Sequence, residues 1–98
     1  MDFIREDNTV SGVIKALNGD TEAGRLNYNW SGPDRIIIDH TEVYTQFREQ
    51  GLGSRLVEVA VDFARENGIK IIPLCPFARK VMESTPESRD IIFTPPPR

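Results

Sequence analysis

The sequence predicts an α/β domain of the α+β kind, a mixed sheet in which N-terminal antiparallel strands precede a βαβ unit and a short C-terminal helix. Three observations carry this. Gly24, Leu26, Tyr28 and Trp30 alternate with Arg25, Asn27 and Asn29, the period of a half-buried strand. Ile36-Ile37-Ile38 is a β-branched run that suits a strand. From Gly51 to Asn67 the polar residues Ser54, Arg55, Glu58, Asp62, Arg65 and Glu66 fall within an arc of roughly 120° at about 100° per residue, so that segment is a largely buried helix.

The elements follow in order. Phe3–Arg5 forms a short strand and Asp7-Asn8 a turn. Val10–Leu17 is a strand that Gly12 weakens. Asn18-Gly19-Asp20 is the strongest hairpin signal in the chain. The alternating strand after it ends at Ser31-Gly32-Pro33-Asp34. Arg35–Tyr44 is the third long strand, and its isoleucines predict burial on both faces and a central position. Beyond them it turns polar at Asp39, His40, Thr41 and Glu42. Asn67-Gly68 stops the long helix, and Ile69–Leu74 is a short strand parallel to the one before the helix. Pro76 opens a helix that runs to Ser84, with Phe77 and Val81 on its inner face. Ile91-Ile92-Phe93 docks as a last strand or packed tail, and residues 94–98 form a mobile end.

Composition narrows the function classes. The chain of 98 residues makes a single domain. A net charge of −3 argues against a nucleic-acid partner, which calls for a basic face. No apolar run approaches the ~20 residues of a membrane span. The first residues lack the basic start and long apolar core of a signal peptide. One cysteine excludes an internal disulfide and fits a cytoplasmic setting. Cys75 and His40 are the only soft metal ligands, so no metal is expected. A monomer or weak dimer is expected.

The chemistry concentrates where strands meet helices. Arg48-Glu49-Gln50-Gly51-Leu52-Gly53-Ser54 joins the third long strand to the long helix. It is neither the dinucleotide pattern G-x-G-x-x-G nor a Walker loop. Its glycines still permit close approach of a ligand, and the first helical N–H groups face outward, an arrangement suited to phosphate. Cys75 precedes Pro76, so it is placed at the N-cap of the second helix, with Arg79 and Lys80 one turn on. It is either a reactive thiol lining the ligand slot or a buried small hydrophobe. His40 and Glu42 share one face of their strand, with Asp39 and Thr41 on the other. Either His40 or Glu42 suits a general base; the alternative for His40 is a hydrogen-bonded core residue. Both helix starts lie at the carboxyl ends of parallel strands, where open α/β sheets bind ligands.

Three segments carry a resemblance. Asp39-His40-Thr41-Glu42-Val43, Arg48-x-x-Gly51-Leu52-Gly53-Ser54 and Ile71-Ile72-Pro73-Leu74-Cys75-Pro76-Phe77 are similar to the minimal single-domain proteins of the GNAT (Gcn5-related N-acetyltransferase) family. The similarity runs from the Asn18-Gly19 hairpin to Ile92, and the His-Thr-Glu-Val and Pro-Leu-Cys-Pro-Phe segments are more specific than the glycine pattern.

The resemblance implies an acetyl-CoA-dependent N-acetyltransferase acting on an amine acceptor, with acetyl-CoA or coenzyme A as its cofactor. It places the pantetheine arm near Thr41 and Val43 and the pyrophosphate on the N–H groups from Gln50 through Leu52 and Gly53 to Ser54. Arg48, Phe77, Arg79 and Lys80 complete the cofactor set. The thioester reaches towards Cys75, with Glu42, His40 and Cys75 as catalytic candidates; one variant passes the acetyl group through Cys75. Many family members carry a tyrosine acid on the helix after the second parallel strand, whereas Pro76–Ser84 has none. The helices that usually help form the acceptor site are missing. These departures keep open an alternative, a CoA-binding or sensing module without turnover.

Overall fold

The computed structural model describes residues 1–94. Five strands, β1 (Asp2–Asp7), β2 (Ser11–Asn18), β3 (Thr21–Trp30), β4 (Arg35–Val43) and β5 (Lys70–Pro73), form one sheet in sequence order. β1 through β4 pair antiparallel, and β5 pairs parallel to β4 across helix α1 (Leu52–Glu66). Helix α2 (Pro76–Ser84) follows β5. The mixed sheet and βαβ unit expected from the sequence are present.

Local chemistry explains the N-terminal half. Asn18 pairs with Thr21 across a two-residue turn, and Gly19, its first central residue, has φ of 64°, as a type II′ connection requires. Gly12 weakens β2 by propensity but is required by packing. A Cβ there would lie 2.3 Å from the phenol oxygen of Tyr28, whose ring covers it.

One face of the sheet carries the core. Ile14, Leu26, Tyr28, Ile36, Ile38 and Ile71 form a cluster with Leu56, Val57 and Ala60 of α1 and with Ala78 and Met82 of α2. Each fully buried aliphatic side chain of this kind contributes about 1.5–3 kcal/mol. No described helix covers the other face. Ile36 and Ile38 are fully buried while Ile37 is partly exposed, so burial of β4 on both faces does not hold. A strand covered by helices on one side only needs apolar residues on that side. The inner face of α2 is also corrected. Ala78 and Met82 point inward, whereas Phe77 is 43% exposed.

Asp39 is an extra residue in β4. Tyr28 pairs with Ile38 and Asn27 with His40, so Asp39 has no opposite number on β3. Such a bulge reverses the alternation beyond it. Thr41 and Val43 therefore join Ile36 and Ile38 on the helix-covered face, opposite Leu26 and Gly24. His40 and Glu42 lie on the open face, opposite Asn27 and Arg25. Asp39 bonds Asn29 on that same open face, so the expectation that Asp39 and Thr41 share a side is corrected.

After α2, a 3-10 segment (Pro86–Ile91) buries Ile91. Ile92 then bridges Ile71 in parallel, and the Phe93 N–H donates to the Ile71 carbonyl at 2.8 Å. The packed tail expected at Ile91–Phe93 is thus formed on the free edge of β5. Except for Thr94, the mobile end expected at residues 94–98 lies outside the described residues. No helix among them is long and apolar enough to cross a membrane.

Candidate functional site

β4 and β5 separate after four paired positions. Their pairing ends at Ile38 and Pro73, and the Cys75 N–H makes one further bond to the Ile38 carbonyl at 3.0 Å. Then β5 turns into α2, while β4 continues to Val43 paired only with β3. Among the described residues, the edge of Asp39–Val43 that faces away from β3 has no strand partner.

Alternation decides which groups that edge offers. The Tyr44 N–H turns to the Ala23 carbonyl on β3 at 3.0 Å. Backbone groups one residue earlier point the opposite way, so the Val43 carbonyl faces the open edge. There it accepts the Arg48 Nε–H at 3.2 Å. Thr41 has the same parity as Val43.

The chain then folds sharply onto α1. A 3-10 turn over Thr45–Phe47 buries Phe47 beneath the loop. Glu49 and Gly51 both take positive φ, 66° and 71°. A left-handed non-glycine residue such as Glu49 costs on the order of 1 kcal/mol, which the surrounding packing must offset. Gly51 is the N-cap of α1; no side chain caps this turn and no acidic residue lies in it. The first backbone bond is Arg55 N–H to the Gly51 carbonyl at 3.2 Å, which leaves the Leu52, Gly53 and Ser54 N–H groups without intrahelical partners.

The two glycines serve different ends. A Cβ on Gly51 would meet nothing within 4 Å, so Gly51 is needed for its backbone conformation. A Cβ on Gly53 would stand 2.8 Å from Phe77 Cζ, so Gly53 is needed for space. Between them, Val43, Arg48, Gly51, Gly53, Ser54 and Phe77 line a concavity of about 240 Å³.

Cys75 is the N-cap of α2 and is 7% exposed. Its Sγ lies 3.8 Å from Thr41 Oγ1, at the point where the two strands diverge. Arg79 and Lys80 do not join the concavity. They line a separate groove with Leu74, Pro76, Glu83 and Ser84, and Arg79 Nε donates to the Pro73 carbonyl at 3.3 Å. Gln50 is exposed and does not line the concavity either.

On the open face, His40 Nε2 stands 3.9 Å from Glu42 Oε2, with side chains 62% and 45% exposed. His40 is therefore no core residue. Beside them lies an anchor that the sequence did not announce. Arg25 holds Glu22 through two bonds of 2.9 and 2.8 Å, and Tyr44 donates its hydroxyl to the same carboxylate at 2.6 Å. The Arg25 and Tyr44 hydrogen bonds hold the Glu22 carboxyl down at about 2, and the same carboxylate pushes the Tyr44 phenol up. Three-residue spacing places Glu22 and Arg25 on opposite faces of a regular strand; they meet because Ala23 is an extra residue in β3, and Tyr44 joins through sheet pairing, so no local sequence signal marks the anchor.

A larger concavity, about 580 Å³, lies at the other end of β4, beside Asp7, Val10, Trp30 and Pro33. Its one carboxylate is already used, by the Tyr28 hydroxyl at 2.5 Å, the Trp30 Nε1–H at 2.8 Å and the Thr9 N–H at 2.6 Å. Burial raises the Asp7 pKa, but these donors outweigh it and the net shift is downward. The smaller concavity at Gly53 joins unpaired backbone donors and a cation, and is the better candidate.

Comparison with known proteins identifies the family of the chain. The sequence model of the family described as GCN5-related N-acetyl-transferase matches residues 13–91. Protein NATD1 of Xenopus tropicalis is 31% identical over 70 residues, which cover 71% of this chain and 64% of that protein. Protein NATD1 of Homo sapiens is 30% identical over 70 residues, covering 71% and 62%. The chain thus spans a little under two thirds of the length of these curated relatives. Among solved structures, a Staphylococcus aureus protein described as GCN5-like matches 92% of this chain and 87% of its own, with 28% identity and a TM-score of 0.67. Tetrahymena GCN5 matches 79% of this chain and 51% of its own at 15% identity and a TM-score of 0.65, a likeness of fold alone.

Proposed function

Because this chain belongs to the GCN5-related N-acetyltransferase family, we propose that it binds acetyl-CoA between β4 and the start of α1 and transfers the acetyl group to an amine. One observation supports this most. The unpaired edge of β4 over Asp39–Val43 ends beside a helix start whose N–H groups lack partners.

The residues present fit the cofactor. An extended chain with amide groups finds a backbone to pair with at Thr41 and Val43. A pyrophosphate finds the N–H groups of Leu52, Gly53 and Ser54 in a first turn without acidic residues, and Arg48 and Glu49 of the preceding loop line the same concavity. Bound acetyl-CoA supplies an activated acyl group. Cys75 and Thr41 line the end of the slot. The Thr41 and Val43 N–H groups on the open edge are suited to hold negative charge on an acyl oxygen.

The amine enters from the open face of the sheet, where Glu42 and His40 stand. Glu42 takes the proton from the attacking nitrogen, directly or through His40 at 3.9 Å. The bulge at Asp39 serves this division. It sends Thr41 and Val43 to one face and the two acid–base candidates to the other.

The second reading, a module that binds CoA without turnover, is favoured by the absence of a tyrosine from Pro76–Ser84. Incubation with acetyl-CoA and a panel of amines, following free CoA and intact protein mass, separates the two. Amine-dependent release beyond one equivalent is expected. Binding without release assigns the module, and no binding at all refutes both.

A further inference from the structure

The Arg48 side chain occupies the carbonyl at the end of the open edge. Arg48 Nε donates to the Val43 oxygen at 3.2 Å, although Arg48 is exposed and forms no ion pair among the described residues. The same side chain lines the concavity that holds the start of α1. A ligand amide that pairs with β4 at Val43 competes with this guanidinium. A ligand phosphate at Gly53 attracts it. The two effects have opposite signs and act on one residue.

We propose that Arg48 closes the Val43 carbonyl in the free protein and is handed over to the phosphates when CoA binds. This rests on the cofactor reading above and adds to it a reason for the residue's position. Arg48 itself has extended backbone angles, φ −70° and ψ 162°, between the 3-10 turn and left-handed Glu49. A bond from an exposed donor to a neutral carbonyl is worth about a fivefold change in an equilibrium. A charge-assisted bond to phosphate is roughly twice as strong in free energy, so the exchange runs towards the ligand. The handover makes the site selective: an uncharged arm must displace Arg48 without compensation, whereas CoA compensates the loss.

The test is a pair of titrations on wild type and Arg48→Ala, one with CoA and one with pantetheine, which has the arm but no phosphate. Calorimetry or NMR shift changes give each Kd, and the Arg48 Nε–H signal of the free protein reports the resident contact. Arg48→Ala is expected to weaken CoA about tenfold and to tighten pantetheine about threefold to fivefold. The Nε–H of free wild type is expected to be protected from exchange and to shift on CoA addition. Pantetheine weakened or unchanged by the substitution overturns the competition with Val43. CoA unchanged overturns the handover. An unprotected Nε–H overturns the resident contact. If wild type binds neither compound, the cofactor reading itself fails, and this is distinguishable because both titrations are then flat.

Discussion

Phe77 lies where a side chain on Gly53 would stand, with Cζ 2.8 Å and Cε2 3.0 Å from an ideal Cβ at that position. The second glycine of the α1 start is thus also a packing requirement between the two helices. Phe77 is 43% exposed, so its ring has room to move. Gly53→Ala is expected to fold, and to weaken CoA more than tenfold, since both the ring and the new methyl crowd the phosphate cradle. Adding Phe77→Ala removes the clash while leaving the methyl in the cradle. CoA titration of the double variant is expected to show partial recovery, because the ring is gone and the methyl remains. Full recovery would mean that Gly53 serves Phe77 alone.

Cys75 combines a helix N-cap with burial. Only 7% of it is exposed, so a reagent reaches Sγ through local opening. Iodoacetamide is expected to label it more slowly than a free thiol, and CoA to slow labelling further. Cys75→Ala is expected to cost about 1 kcal/mol in stability and to leave CoA affinity within threefold. Loss of turnover in that folded variant would assign the thiol a direct part; retained turnover leaves it lining the slot.

Glu42 and His40 are exposed on the open face, so substituting them should leave the fold intact. Glu42→Gln is expected to lower kcat/KM by about a hundredfold or more, the usual contribution of a general base. His40→Ala is expected to have a smaller effect if the proton passes directly to Glu42. CoA binding should be unaffected in both. Undiminished turnover in both variants would remove them from the chemistry.

The Glu22 anchor predicts a pH dependence. Its carboxyl sits at about 2 in the folded protein against 4.5 for the free group, mainly through the Arg25 and Tyr44 hydrogen bonds. A lowered folded pKa gives stability that is fully present above about 4.5 and is lost as pH falls towards about 2. Glu22→Gln should destabilise by about 1 kcal/mol at pH 7, a value discounted for the partial exposure of both partners. Thermal melts of wild type and variant should converge as pH falls through this window. A gap that persists at pH ~2 would show that the carboxylate charge is not the source.

The sequence by itself determined the elements, because their signals are local. The Gly24–Trp30 alternation, the Asn18-Gly19 turn, the polar arc of α1 and Pro76 at the start of α2 each depend on neighbours a few residues away, and each appears where expected. The strand–helix–strand order then required β5 to run parallel to β4 and brought both helix starts to one end of the sheet. That much of the candidate site was legible: Gly51, Gly53 and Ser54 at one helix start, Cys75 at the other, and His40 with Glu42 on one side of β4.

Tertiary structure decided which side. A single unpaired residue, Asp39, reverses the alternation of β4, and nothing in Asp39-His40-Thr41 announces it, because a bulge is defined by the partner strand. Likewise Phe77 packs over Gly53 of α1 while Ala78 faces the core, a choice set by contact between the two helices. The bond from Arg48 to Val43 depends on the 3-10 turn over Thr45–Phe47, which brings the chain back to the end of β4. Glu22 meets Tyr44, 22 positions away, only because β3 and β4 are in register. In each case the deciding contact joins atoms of different elements, and its energy exists only once the sheet and helices have assembled.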